Sequence, residues 1–260
     1  FIHVTELDGV RRLYLNEGPG RNGRSRFREV AKPAGIERNG IRHGLGAMFT
    51  DVNGDGRPDL YVANDEDPNS LYLNVPWPGG AKADPAGLGF RLEDRGRREG
   101  VDDSNAGMGV AEADYDGDGL PDLFVTNARG QVHAAYDGQI SELVDPSFAD
   151  VRADLGTDLG DGTGWGVSFA DLDLDTDLDL FVRMPDGVEI SFIFPNRGGG
   201  MLDVDDCFGD CRVPGGPHVE NIFFGDVDSP RDDARVRRAA ADAEAVEFTN
   251  KLPNGLDNHF

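Results

Sequence analysis

Basic residues are scarce in this sequence. Its 260 residues include 25 Lys and Arg against 49 Asp and Glu, which gives a formal net charge of −24. A chain this acidic repels polyanions, so the composition argues against nucleic acid and against an anionic membrane surface as partners. No apolar stretch approaches the roughly 20 residues that cross a bilayer as a helix, and membrane insertion is therefore not expected. The length is sufficient for one large domain or two small ones.

Cysteine and recognisable catalytic motifs are also scarce. The chain has two cysteines, Cys207 and Cys211, and outside the cytoplasm we expect a disulfide that closes one short loop, with free thiols as the alternative. Two cysteines without further ligands at a recognisable spacing do not predict a metal site. Five histidines are scattered, and Gly-x-Ser-x-Gly, phosphate-loop and His-Glu-x-x-His motifs are absent. The sequence thus contains no evident catalytic constellation, although so many carboxylates offer candidate pairs for glycoside chemistry.

One acidic nonamer, in contrast, stands out. In residues 114–122 (Asp-Tyr-Asp-Gly-Asp-Gly-Leu-Pro-Asp), oxygen-bearing side chains occupy positions 1, 3, 5 and 9, and glycines occupy positions 4 and 6. Carboxylates this close repel one another unless a cation joins them, and hard oxygen ligands on a short loop suit Ca²⁺. Glycine at position 6 permits the positive φ that turns the chain. The backbone carbonyl of position 7 is a natural further ligand.

The nonamer spacing occurs three times, with first positions at residues 51, 114 and 171, which are 63 and 57 residues apart. Each copy lies between apolar runs, which favours calcium loops over a merely acidic surface. The candidate ligands, with position 7 contributing its carbonyl, are Asp51, Asn53, Asp55, Arg57 and Asp59; Asp114, Asp116, Asp118, Leu120 and Asp122; and Asp171, Asp173, Asp175, Asp177 and Asp179. In the third copy Leu174 and Thr176 replace both glycines. We therefore expect two full Ca²⁺ sites and a weaker or distorted third.

Strand-like segments recur around these loops about every 60 residues. An apolar run rich in β-branched and aromatic residues follows each loop, at 60–64, 123–127 and 180–183. Each loop is therefore predicted to be the tip of a β-hairpin. Third and fourth segments follow, as at 71–74 and 90–93. Four strands per repeat make one blade of a β-propeller, so the fold prediction is all-β: a propeller or partial propeller of four-stranded blades with Ca²⁺ loops in the hairpins.

Both ends of the sequence are predicted to fall within blades. Residues 2–5 and 13–16 match 60–63 and 71–74 at a constant offset of 58, and residues 222–228 begin a hairpin with a degenerate loop. The predicted organisation is one repeat domain over 1–260, with a partial blade at 1–45, blades at 46–106, 107–163 and 164–220, and a partial blade at 221–260.

The number of repeats bears on ring closure. A seven-bladed ring at this repeat length would need roughly 420 residues, so we expect a small ring, an open array or a piece of a larger propeller. An open array leaves exposed sheet edges, which favours a piece of a larger assembly or a ring completed by another chain. The best helical candidate is 235–245, and a long loop there is equally compatible with the sequence.

The repeated pattern Gly-x-Gly-(x)-Asp-x-Asp/Asn-Gly-Asp-Gly-x-Pro-Asp-Leu-Tyr/Phe-Val resembles the FG-GAP/VCBS repeats of integrin α-subunit head propellers and of many bacterial surface proteins. Residues 71–74 (Leu-Tyr-Leu-Asn) and 27–36 are similar to the ASPIC/UnbV-associated subgroup. This resemblance covers nearly the whole chain. It implies a β-propeller that carries Ca²⁺ in hairpin loops on one face.

Two functions are compatible with these features. The first is an extracellular calcium-binding module, secreted, periplasmic or at the cell surface, that binds or scaffolds a protein or glycan, as in adhesion, and belongs to a larger assembly. Millimolar calcium outside cells would fill weak acidic loops there. The alternative is a carbohydrate-active enzyme, similar to a polysaccharide lyase, on a calcium-stabilised propeller. The absence of a catalytic constellation favours the binding module.

Overall fold

Short β-branched and aromatic runs form the strands that the sequence predicts. The computed structural model describes residues 2–5, 11–21, 23–36, 42–140, 146–153, 163–172, 175–184, 190–194 and 196. Within these ranges the chain forms fourteen strands in four sheets, with two one-turn helices. The all-β part of the fold prediction is therefore confirmed. The Cys207–Cys211 pair, the helical candidate at 235–245 and the partial blade at 221–260 lie outside the described residues and stay predictions.

Each sheet is an antiparallel meander in which strands adjacent in sequence pair in space. We name the sheets A to D in chain order. Sheet A contains β1 (Ile2–Thr5), β2 (Arg11–Pro19) and β3 (Ser25–Glu29); sheet B contains β4 (Gly44–Thr50), β5 (Asp59–Asn64), β6 (Ser70–Pro76) and β7 (Phe90–Asp94); sheet C contains β8 (Gly107–Ala113), β9 (Asp122–Asn127), β10 (Ala134–Ile140) and β11 (Pro146–Asp150); and sheet D contains β12 (Gly166–Ala170), β13 (Asp179–Met184) and β14 (Ile190–Phe194).

Sheets B and C have the four strands expected of a blade, and the described parts of sheets A and D have three each. The predicted blade boundaries stay a prediction. The two helices, α1 (Ala31–Ala34) and α2 (Gly96–Glu99), follow the last strands of sheets A and B. Neither of these short helices in the described part of the chain has the length or apolar character needed to cross a bilayer.

The second strand of sheet B packs on both of its faces. All six residues of β5 are buried, and successive side chains point to opposite sides of the sheet. Leu60 packs in one core with Leu13 of sheet A, whereas Tyr61 packs in another with Leu123 of sheet C. A third core joins sheets C and D. The sheets therefore stack face to face in chain order, which explains why their central strands are continuous apolar runs.

The first strands of sheets B, C and D approach one another backbone to backbone. A Cβ added at Gly46 on β4 would lie 2.5 Å from the carbonyl oxygen of Met108 on β8, and one added at Gly109 would collide with the carbonyl of Trp165. Glycine is needed at these two positions because real Cβ atoms are not found so close to backbone oxygens. The inner edges of the three sheets thus converge.

Candidate metal centres

The three acidic nonamers form the turns between the first and second strands of sheets B, C and D. We call them the first loop (51–59), the second loop (114–122) and the third loop (171–179), of which residues 173 and 174 lie outside the described part. They connect β4 to β5, β8 to β9 and β12 to β13. This is the hairpin position that the sequence predicts, and it places the loops at equivalent ends of the three sheets.

The sixth position turns the chain in all three loops. Gly56 has a φ of 81°, Gly119 one of 89° and Thr176 one of 83°. Glycine enters this left-handed region readily, but a non-glycine residue there costs roughly 1–3 kcal/mol. The third loop therefore adopts the shared turn under strain, which gives a physical basis to its predicted weakness.

The first carboxylate of each loop closes the turn by accepting a hydrogen bond from the sixth residue. This bond joins the N–H of Gly56 to Asp51 at 2.7 Å, that of Gly119 to Asp114 at 2.9 Å and that of Thr176 to Asp171 at 3.2 Å. The other oxygens of Asp114 and Asp171 are buried and accept no hydrogen bond within the described residues. A buried anionic oxygen without a donor is unfavourable, so a cation would stabilise both.

The last carboxylate ties each loop to the third strand of its sheet or, in sheet D, to Asn196 just after that strand. Asp122 accepts hydrogen bonds from the N–H groups of Tyr115 at 3.0 Å and Gly138 at 2.8 Å. Asp59 and Asp179 make the equivalent pairs of bonds in sheets B and D. Burial raises the pKa of Asp122 to about 7 and that of Asp59 to about 6, against the lowering effect of these bonds. Burial also raises the pKa of Asp179, so this position favours a proton or a cation over a bare anion.

The second loop brings several carboxylates together. Carboxylate oxygens of Asp114, Asp116 and Asp122 all lie within 4.8 Å of one another. Two oxygens bound to one Ca²⁺ at about 2.4 Å are at most about 4.8 Å apart, so these three fit a single ion. Asp116 also forms a second such group with Asp118 and Asp137. Asp137 lies on β10, outside the nonamer, and the spacing of the motif does not predict it.

In the first loop a basic side chain already faces the carboxylates. The guanidinium of Arg57 pairs with Asp55 and donates through Nε to the carbonyl of Asn74 at 2.7 Å. The sequence predicts that Arg57 contributes its backbone carbonyl. The pairing of its side chain with Asp55 was not predicted. The sequence feature that could have indicated this pairing is a basic residue two positions after an acidic one. Within the described chain, Asp51, Asp55 and Asp59 do not converge as closely as the second-loop carboxylates.

The third loop is only partly described. Asp171, Asp175 and Asp179 are placed, whereas Asp173 lies outside the described residues. The N–H of Asp177 donates to Asp175 at 3.0 Å, which repeats the local bond from Leu120 to Asp118 in the second loop at 2.8 Å. The ligand set predicted for this loop therefore stays a prediction.

A cavity lies at the end of sheet B opposite the first loop. Its volume is about 470 Å³, and it is lined by Arg42, Pro68, Asn69, Asp94, Arg97, Arg98 and Asp102. Arg42 donates to the carbonyl of Pro68 at 2.9 Å and lies 3.7 Å from the carboxylate of Asp94. Asp94 in turn accepts the N–H of Gly96 at 3.0 Å. Arg42 and Asp94 thus hold this end of the sheet together.

Comparison with known proteins agrees with the repeat architecture. A family model described as an FG-GAP-like repeat matches residues 51–125 and 114–182. The two matches begin at the first positions of the first and second loops, and each extends beyond the next loop. Together they span just over half of the chain. No curated protein matches the sequence.

Proposed function

The chain belongs to the FG-GAP-like repeat family, and from that membership we propose that it is a calcium-stabilised β-propeller or a part of one. Its function is that of a non-enzymatic module that binds or scaffolds a protein or glycan partner outside the cytoplasm. The observation that carries the calcium proposal is the second loop. There, three carboxylates converge within 4.8 Å, and one buried oxygen has no donor within the described residues.

Calcium fits this set of ligands better than other common metals. The converging groups of Asp114, Asp116 and Asp122 are all carboxylate oxygens. This set contains none of the softer donors that zinc and copper prefer. Mg²⁺ requires nearly ideal octahedral geometry at about 2.1 Å and retains several waters, whereas Ca²⁺ accepts six to eight oxygens in flexible arrangements. Bound Ca²⁺ supplies the positive charge that offsets repulsion among these carboxylates.

Calcium at the second loop would stabilise more than the turn itself. Asp122 is bonded to the N–H groups of Tyr115 in the loop and Gly138 on the third strand, so fixing this side chain holds three strands in register. An ion that binds only the folded state contributes about 2.7 kcal/mol at a hundredfold excess over Kd. This is a large part of a typical stability of about 5–15 kcal/mol. The proposed role of calcium is therefore structural.

The convergence of the inner strands supports the propeller part of the proposal. Backbone contact at Gly46 and Gly109 brings the first strands of sheets B, C and D together, and the sheets stack face to face from this edge. Blades that meet along their inner strands around an axis define a propeller. Further repeats or a second chain would complete the ring, and this fits a subunit of a larger extracellular assembly.

The enzymatic alternative would need a cleft with a free base and a basic residue. The cavity beside α2 contains carboxylates and arginines, but Arg42 and Asp94 pair with each other and with the backbone. We therefore favour the binding module. Incubation with a panel of polysaccharides in calcium should give no cleavage products. Calcium-dependent release of shortened sugars would support the enzyme instead.

Thermal unfolding tests the calcium proposal. After exhaustive chelation, the melting temperature should fall, and adding Ca²⁺ should restore it, because the ion binds the folded loops. Mg²⁺ at the same concentration should restore it poorly. An unchanged melting curve across all three conditions would mean that the nonamers are acidic turns closed by hydrogen bonds alone.

A further inference from the structure

We propose that Asp137, on strand β10 and outside the nonamer, is a further ligand of the cation at the second loop. The site would then be built from two separate parts of sheet C rather than from one turn. This inference rests on the proposed calcium binding and deepens it. It concerns one residue that lies fifteen positions beyond the end of the loop.

The side chain of Asp137 reaches the open part of the loop. Its carboxylate lies in a group with Asp116 and Asp118 whose oxygens are within 4.8 Å of one another. Oδ1 of Asp137 is buried and accepts no hydrogen bond within the described residues. Asp116 belongs both to this group and to the group formed with Asp114 and Asp122. A cation held by Asp116, Asp118 and Asp137 would therefore contact the loop and β10 together.

A glycine lies where β10 passes closest to the loop. The N–H of Gly138 donates to Asp122, and a Cβ at Gly138 would lie 2.5 Å from the carbonyl oxygen of Pro121. A side chain at position 138 would meet the carbonyl of Pro121 along the path that β10 takes here, and Asp137, which precedes this glycine, lies beside Asp116. The position of Asp137 beside Asp116 thus depends on the path of β10 as well as on the carboxylate itself.

Sheet B has the same bond between the loop and the third strand but no carboxylate beside it. The N–H of Asn74 makes the bond to Asp59 that Gly138 makes to Asp122, so Asn74 is equivalent to Gly138. The side chain of Asn74 donates to the carbonyl of Pro58 at 3.1 Å and fills the space beside the first loop. The residue before it is Leu73, which is buried in the core. Sheet B thus has no carboxylate at the position of Asp137.

The second loop also carries its own optical reporter. Tyr115 occupies the second position of the nonamer and is mostly buried, whereas Val52 and Leu172 occupy that position in the other loops. Tb³⁺ has nearly the size of Ca²⁺ and emits when a nearby tyrosine is excited. The part of the sensitised emission that Tyr115→Phe removes therefore reports the second loop, and this variant keeps the ring.

The test is a Tb³⁺ titration followed by competition with Ca²⁺ on the full chain. Asp137→Asn keeps the shape of the side chain and removes its charge, and we expect the Ca²⁺ affinity of the second loop to fall at least tenfold. The matched control is Asp150→Asn on β11, which also removes one negative charge; Asp150 is half exposed and pairs with Arg152. We expect less than a twofold change for the control.

Stability separates a ligand from a merely structural carboxylate. In chelator, Asp137→Asn should melt at the same or a higher temperature than the unmodified chain, because one repulsive charge is gone. In the presence of calcium, Asp137→Asn should melt at a lower temperature than the unmodified chain. Equal calcium affinities for Asp137→Asn and Asp150→Asn, with sensitised emission retained, would overturn the role of Asp137 alone. Absence of emission and of any calcium-dependent melting shift in the unmodified chain would overturn the calcium proposal itself.

Discussion

The first and second loops share one turn but hold very different charge. Both close through the bond from residue 6 to residue 1, and both anchor residue 9 to the third strand. The first loop has three aspartates and places the guanidinium of Arg57 against Asp55. The second has four aspartates and faces a fifth, Asp137. Loops with the same backbone turn therefore differ in the negative charge that a cation would have to offset.

The comparison separates two roles for the carboxylates. Positions 1 and 9 organise the turn by accepting backbone hydrogen bonds, with or without an ion. Within the described residues, Asp116 and Asp118 of the second loop accept only local bonds, at 3.0 Å and 2.8 Å, which leaves their other oxygens available to a metal. A loop that keeps only the first role is expected to fold as a hairpin turn without an ion, and under the calcium proposal a loop that keeps both is expected to fold best with calcium.

The largest expected effect is at the position that the two loops share. Asp122→Ala leaves the buried N–H groups of Tyr115 and Gly138 without an acceptor, and each such loss costs about 1–3 kcal/mol. We expect about 3 kcal/mol of destabilisation in urea unfolding, in chelator as well as in calcium. Asp116→Ala, as the control, should destabilise the protein in calcium only. Similar losses for both variants in chelator would contradict the division of roles.

Acidification should weaken calcium binding at the second loop. The pKa of Asp122 is raised by burial to about 7, so below that pH calcium must displace a proton from the ion-free protein. Affinity should be constant above pH 7 and fall up to about tenfold per pH unit below it. Conversely, the ion-free fold should lose stability as pH rises from 4 through 7, because the folded state gives up a proton that the unfolded state has already lost.

Terbium and calcium titrations at pH 5, 6, 7 and 8 measure this dependence. The Asp122→Asn variant is the control, since it cannot ionise and should flatten the profile. A pH-independent affinity in the unmodified chain would show that Asp122 binds no proton in competition with the ion.

Exchanging the residues at position 7 should make the calcium affinities of the first and second loops more similar. Arg57→Leu removes the guanidinium that competes with an ion at Asp55, and calcium affinity of the first loop should rise about threefold to tenfold. The effect is modest because the pair is partly exposed and screened. Leu120→Arg should lower the affinity of the second loop by a similar factor. Titration calorimetry measures both, and unchanged affinities would show that position 7 acts through its carbonyl alone.

The smallest effect is expected at the third loop. Thr176 holds a φ of 83°, and Thr176→Gly should stabilise the protein by about 1 kcal/mol by removing that strain. Thr126→Gly, in a strand with ordinary φ, serves as the control and should destabilise. A loss of stability in Thr176→Gly would mean that its side chain makes a compensating contact.

The sequence predicts what is local and periodic. The nonamer spacing places the hairpin tips, and the apolar runs after each loop become β5, β9 and β13. The turn at position 6 is predicted from Gly56 and Gly119 because few residues other than glycine adopt a positive φ. These features require only residues that are near one another in the chain.

What the sequence does not predict depends on contacts between strands. Asp137 meets Asp116 because β10 lies beside the loop, held there by the bond from Gly138 to Asp122. The side-chain role of Arg57 depends on the carbonyl of Asn74, seventeen residues away. The convergence of inner strands at Gly109 likewise involves a neighbouring sheet. No periodicity within a single repeat contains such information.

Calorimetric titration of the chelated chain with Ca²⁺, compared with the variants Asp118→Ala and Asp55→Ala, is the decisive test of calcium binding by these loops. We expect at least two binding events of unequal affinity in the unmodified chain. Asp118→Ala should eliminate the tighter event, and Asp55→Ala should affect only a weaker one. Absence of binding heat in the unmodified chain together with an unchanged melting temperature, or identical isotherms for all three proteins, would contradict this expectation.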